Sequence, residues 1–253
     1  MNGATLTVEM VALGVVASFV GSVVGLGGGF VVIPVLRLAF GMPPSLVAGT
    51  SLVLVTANVA SASLAFWRQR RIDVRLGLAM GLPAIVGSIA GALALRHVAV
   101  AGFDVAYAAI LVFVALDLFR LRPAVASVHP RLPNDPLLAV VGLVTGFVSS
   151  LFGIGGGIIV VPLLLRVFAL PAHVVGATSQ FIILLSSPAG VATHGLGGDI
   201  AWRYAWPLAA GGVLGAQFGA ATARRLSSPA LVRALAIVML LAAGSLAIRH
   251  VGT

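Results

Sequence analysis

The stretch "GLGGGFVVIP", residues 25–34, sets three consecutive glycines inside an apolar run, and "GIGGGIIVVP", residues 153–162, repeats the arrangement 128 positions later. Glycine is a poor helix residue and tolerates backbone angles closed to other side chains, so each triplet is expected to end one helix and open the next. Unsatisfied backbone groups cannot face lipid, so a break of this kind at membrane depth must be buried in protein or line a wet cavity. Whether the surrounding chain lies in a membrane therefore decides what the glycines mean.

Composition answers that. Of 253 residues, 60% are hydrophobic and 8% charged, too few polar groups to coat a soluble core. Apolar runs near residues 8–24, 26–41, 45–66, 75–95 and 103–120, then near 136–152, 154–170, 174–193, 201–222 and 229–248, approach the roughly 20 residues that cross about 30 Å of hydrocarbon. The expected fold is an all-α polytopic membrane protein. All 15 basic residues are arginines scattered between apolar segments, which reads as topology-setting charge and not as a nucleic-acid surface. There is no cysteine, hence no disulfide framework and no thiolate chemistry. The first ten residues lack a basic n-region, so the first apolar run is read as retained.

The proline-rich, charged break from Arg120 to Pro136 divides two halves: residues 1–122, a linker at 123–135, and residues 136–253, together one transporter-like domain. A shift of 128 aligns residues 8–96 with 136–224 without a gap. The matches include Gly25, Gly27, Gly28, Gly29, Pro34, Pro43, Thr50 and Ser51 with Gly153, Gly155, Gly156, Gly157, Pro162, Pro171, Thr178 and Ser179. Apolar composition alone would not keep glycine triplets, prolines and a Thr-Ser pair in one register, so the halves are an internal duplication.

Arginine sets their orientation. With one crossing per segment, eleven arginines (68, 70, 71, 75, 120, 122, 131, 166, 224, 225 and 233) fall inside and four (37, 96, 203 and 249) outside, with both termini outside. Equivalent loops exchange their charge, which requires an odd number of crossings per half and therefore inverted repeats of five segments each. Five spans and a re-entrant hairpin plus three spans satisfy the same parity, and charge leaves the choice between them open.

A helix opening at each triplet presents free N–H groups and the positive end of its dipole, with no side chain in the way, an arrangement suited to an anion. The candidate substrate-binding residues are Gly27, Gly28, Gly29, Thr50, Ser51 and Asn58, with Gly155, Gly156, Gly157, Thr178, Ser179 and Gln180. The glycine pairs at 21/25 and 87/91 read instead as close helix packing, and Gln217 as a bond between helices. Asp117 is expected to pair with Arg120, while Asp104 and Asp199 are placed at the outer surface and Asp73 and Asp135 in inner loops. Histidines 97, 129, 173, 194 and 250 fall at segment ends or in loops. None has metal-ligand spacing and no nucleophilic triad can be assembled, so neither a metal, a cofactor nor an enzymatic activity is expected.

The doubled "GxGGGxxxxP" pattern, each copy followed by a proline and a Thr-Ser pair in "PPSLVAGTS" and "PAHVVGATS", resembles the TauE/SafE family of membrane permeases across both halves. The resemblance implies a bacterial inner-membrane exporter of sulfite or of organosulfonates such as sulfoacetate, its site carried by the glycines, prolines and Thr-Ser pairs above. Exact symmetry fails where Leu52 meets Gln180 and Asn58 meets Ser186. Alternating access is the expected mechanism. The expected partners are a small anion and the lipid bilayer, with no nucleic acid and with a homodimer left open. An importer of another small solute, or a membrane subunit that binds a partner protein without transporting, are the competing readings.

Overall fold

The computed structural model describes residues 3–119, 135–167 and 171–223, with isolated positions 237, 240 and 244. Most of the tenth apolar segment, the linker up to residue 134 and the side chains of Asp117 and Arg120 lie outside the described residues. Within them the regular structure is helical: α1 (Gly3–Val24), α2 (Gly29–Leu38), α3 (Pro44–Arg68), α4 (Val74–Leu95), α5 (Val100–Phe119), α6 (Asp135–Phe152), α7 (Gly157–Val167), α8 (Ala172–Leu196) and α9 (Trp202–Ala223). Four helices, covering Gly3–Val24, Pro44–Arg68, Val74–Leu95 and His173–Leu196, are long and apolar enough to cross a membrane. Large apolar side chains such as Val86, Phe113 and Phe218 point outward, as lipid-facing helices require. Exposed Trp67 ends α3, and exposed Trp202 and Trp206 stack at the start of α9, positions typical of an interfacial aromatic belt.

Glycine sets how closely the helices approach. A Cβ on Gly87 or Gly91 of α4 would run into the carbonyls of Leu143 and Phe147, and one on Gly142 or Gly146 of α6 into those of Met80 and Ala84. The same interlock joins α1 to α9, where Gly211, Gly215 and Gly219 meet Val11, Val15 and Phe19. This is backbone-to-backbone packing through small residues, as read for the 87/91 pair. In both interfaces the partner numbers rise together, so α4 runs parallel to α6 and α1 parallel to α9. The bond expected of Gln217 forms too, its Nε2 donating to the carbonyl and hydroxyl oxygens of Ser61, each at 2.8 Å.

At the centre, α3 and α8 lie antiparallel. The hydroxyl of Thr50, near the start of α3, accepts from the N–H of Ala201 beyond the end of α8 at 2.9 Å. The hydroxyl of Thr178, near the start of α8, accepts from the N–H of Asp73 beyond the end of α3 at 3.0 Å. Residues 201 and 73 are themselves 128 apart, so each half makes the same contact on the other.

The ends of the hairpins follow from these contacts. α1 starts level with α9, whose start lies beside that of α3, and residues 39–43 alone join α2 to α3. α1 and α2 therefore enter and leave at one end of the bundle. By the equivalent contacts α6 and α7 enter and leave at the other. The ten residues of α2 rise only about 15 Å, half the hydrocarbon thickness. Segments expected near 26–41 and 154–170 are thus short return arms ending in hairpins.

Asp104 departs from its expected surface position. It is buried, 5% exposed, and pairs with equally buried Arg37 of α2, whose Nε donates to Oδ1 at 2.8 Å and whose NH2 donates to Oδ2. Arg37 also donates to the carbonyl of Met42 at 2.7 Å. The pair closes α2 against α5, a contact between residues 67 apart that local sequence does not announce.

Candidate functional site

Each bend is built the same way. The N–H groups of Gly25 and Leu26 both return to the carbonyl of Gly21, and those of Gly153 and Ile154 to the carbonyl of Ser149. The chain then turns through positive φ at Gly27 (84°), Gly28 (84°), Gly155 (99°) and Gly156 (68°), angles that side chains resist. Helices α2 and α7 open immediately at Gly29 and Gly157. Among the described residues no backbone carbonyl accepts from the N–H groups of Gly27, Gly28, Gly155 or Gly156.

The two bends meet. A Cβ on Gly29 would strike the carbonyl of Gly153, and one on Gly157 would lie 2.6 Å from the carbonyl of Gly25. Gly27 and Gly155 both pack on Val55, near the middle of α3, with their Cβ positions 3.0 and 2.8 Å from its Cγ1. So two side-chain-free turns, entering from opposite ends, touch at mid-depth.

The Thr-Ser pairs hold this contact in place. Ser51 donates to the carbonyl of Gly153 at 2.8 Å, and Ser179 donates to that of Gly25 at 2.9 Å. Both serines thus touch the bend of the opposite half, while Thr50 and Thr178 secure the loops before α9 and α4. Gln180 donates from Nε2 to the carbonyl of Gly21 at 3.3 Å, and its buried Oε1 has no partner. Asn58 is held on both sides, its Nδ2 donating to the Ser18 carbonyl at 2.9 Å and its Oδ1 accepting from Ser22 at 3.0 Å.

The duplicated glycines and serines therefore gather around one point, while Thr50 and Thr178 face loops at opposite ends, and the polar lining differs between halves. Gly156 packs against Thr145 and Ser149, whose buried hydroxyls lack a partner, as does that of Ser150 one residue on. Thr145 and Ser149 correspond to Ala17 and Gly21 in the first half. Reading only duplicated residues misses them. Their signal was a spacing of four on the helix running into the triplet, which puts both on one face. A separate surface pocket of about 470 Å³, lined by Trp67, Arg68, Arg70, Ile72 and Val74, lies at the α3–α4 turn and takes no part in the bends.

This geometry belongs to a sequence that matches the family profile described as "Sulfite exporter TauE/SafE" over residues 10–246. The chain belongs to the TauE/SafE family. It is 32% identical over 259 residues to the probable membrane transporter protein YunE of Bacillus subtilis (strain 168), covering 92% of this chain and 94% of that one. It is 28% identical over 239 residues to a probable membrane transporter protein of Haemophilus influenzae, covering 94% and 92%. A probable membrane transporter protein of Methanocaldococcus jannaschii is 27% identical over 191 residues, covering 73% and 71%. No solved structure matches. As a TauE/SafE member, the chain is a membrane permease, and the doubled glycine pattern of its sequence forms the paired bends.

Proposed function

We propose that this TauE/SafE protein exports small sulfur oxyanions, sulfite or an organosulfonate such as sulfoacetate, across a bacterial inner membrane by alternating access. The observation that carries the reading is the meeting of the two glycine bends at mid-depth. Each offers N–H groups without backbone acceptors beside the positive end of a helix dipole, the backbone form of an anion site. The family description, "Sulfite exporter TauE/SafE", supports the substrate class.

In this mechanism the halves are inverted repeats with both termini outside. Their antiparallel α3 and α8 and the reciprocal Ser51 and Ser179 bonds support that relation. Rocking of one half against the other parts the bends. The anion then takes the N–H groups of Gly27, Gly28 and Gly29, or of Gly155, Gly156 and, once its 2.8 Å bond to the Gly155 carbonyl opens, Gly157, while Ser51, Ser179, Gln180 and Asn58 complete its shell, with Thr50 and Thr178 holding the frame. Partial charges suit release as well as capture, because a full ion pair in low dielectric would retain the anion.

Flux of labelled sulfite and sulfoacetate into proteoliposomes tests the reading, with taurine and thiosulfate as comparison substrates. Saturable flux of at least one sulfur oxyanion is expected. Absence of flux for all of them would remove it.

A further inference from the structure

Among the described residues four titratable side chains are buried: Arg37, Asp104, Tyr107 and His194. The first two bind each other, and Tyr107 donates to the carbonyl of Phe30 at 3.1 Å. His194 is different. In the last turn of α8 and 1% exposed, it places Nε2 2.9 Å from the carbonyl of Ser150. A carbonyl only accepts, so the neutral ring carries its hydrogen on Nε2. Nδ1 is then a bare acceptor, and it is buried without a partner.

The surroundings of the ring are polar in a graded way. The hydroxyls of Ser88 on α4 and Ser150 on α6, both buried and unpartnered, converge on Gly190, one turn before His194, each 2.6 Å from where a Cβ would stand. Ser187 adds a further unpartnered hydroxyl one turn earlier on α8. Ser150 lies in the last turn of α6 beside Ser149 and three residues before Gly153, so this strip runs from the Gly156 bend to His194. Beyond His194 comes the loop residue Asp199, whose N–H donates to the His194 carbonyl at 2.9 Å, and then half-exposed Arg96, whose Nε is 3.8 Å from the Asp199 carboxylate. Hydroxyls both donate and accept, so the strip lines the way from the bend to the ring with buried polar groups that have no partner, and Asp199 and Arg96 stand between the ring and the end of the bundle.

The fold itself does not require this polarity. The position equivalent to His194 is Phe66, and those equivalent to Ser88 and Ser187 are Ala216 and Val59, all buried, while the one equivalent to Ser150 is Ser22, which bonds Asn58. Apolar or partnered side chains fill the symmetry-related place between α3 and α9, so the cluster around His194 carries its orphan groups at a cost in stability that packing does not explain.

We propose that His194 is a proton-binding site linked to occupancy of the anion site, an inference that rests on the anion reading above. Nδ1 forms an N–H bond with a proton entering from the Asp199 end, and the imidazolium and an anion at the Gly156 bend stabilise each other. The proton returns to solvent when the anion leaves. The charged groups facing the ring are Asp199 and, just past the end of α4, Arg96. α3 contributes Gly49 and α6 contributes Ser150, neither of them charged. Linkage is reciprocal, so protonation tightens anion binding by the factor by which the anion tightens proton binding.

The test is calorimetric titration of sulfoacetate, and in parallel sulfite, into the full chain in lipid nanodiscs, in two buffers of different ionisation enthalpy. Between about pH 6 and about pH 8.5, affinity for sulfoacetate is expected to fall about tenfold or more, with net proton uptake on binding. His194→Gln, which keeps a donor for the Ser150 carbonyl, is expected to flatten the pH profile and abolish the uptake. His194→Phe, the side chain of the first half, serves as a second variant, and the two-buffer comparison on the wild type needs no variant. Anion binding without proton uptake, or an unchanged profile in His194→Gln, overturns the proposal. Failure of either anion to bind at any pH removes the anion site and this linkage together. Linked binding without flux removes transport alone.

Discussion

The hydroxyl of Ser51 donates to the carbonyl of Gly153 at 2.8 Å, tying a helix of the first half to the bend of the second. Ser51→Ala strands that carbonyl in a buried place, which costs about 1–3 kcal/mol. Ser179→Ala does the same to Gly25. Because the bends touch, the two losses are expected to be non-additive in a double-mutant cycle. Thermal melts of the purified variants measure the coupling, and flux should fall in both. Additive melts would mean that the bends do not act as one unit.

The glycines at the bends are expected to fail for two separable reasons. Gly28→Ala meets a positive φ and places its Cβ 2.7 Å from the carbonyl of Ala17, whereas Gly41→Ala meets a positive φ in open space. Left-handed strain alone is roughly 1–2 kcal/mol, so Gly41→Ala should lower the melting temperature yet keep its flux. Gly28→Ala and Gly156→Ala should abolish flux. Equal flux in Gly28→Ala and the wild type would detach the bend from transport.

Arg37 and Asp104 form a buried pair, so either single substitution breaks a buried charge-to-charge contact. Arg37→Met or Asp104→Asn is expected to cost about 3–5 kcal/mol, and Arg37→Met combined with Asp104→Leu should recover much of it. Melting temperatures across the cycle check this. A double variant worse than both singles would show the charges to be needed for more than closing α2 on α5.

Much of this was legible because duplication marks what a single copy hides. The glycine triplets stand out against apolar residues that match by chance, and Ser51 and Ser179 recur in the same register. The depth of the hairpins was not legible, since five spans and three spans plus a hairpin invert a half equally. The short rise of α2 and the meeting of the two bends beside Val55 separate them. Asp104 was assigned to the surface because its partner is on another helix. His194 lies at a segment end as read, but its burial was not legible, because the last turn of α8 is covered by α3 and α6 and burial by neighbours leaves no local trace. Thr145 and Ser149 escaped for the opposite reason: they occur in one half only.

Topology gives the last prediction, and the absence of cysteine makes it accessible. Ala4→Cys, Gly41→Cys and Gly198→Cys place thiols at exposed positions on one end of the bundle, and Arg68→Cys places one at the other. In intact spheroplasts a membrane-impermeant maleimide should label the first three and spare the fourth until the membrane is permeabilised. Positions 4 and 41 test whether the chain returns to the side it entered from, because a pair crossing the bilayer once would put them on opposite sides. Labelling of Ala4→Cys without Gly41→Cys would break the hairpin. Labelling of Arg68→Cys alone would reverse the proposed orientation while leaving the two-ended entry of the bends intact.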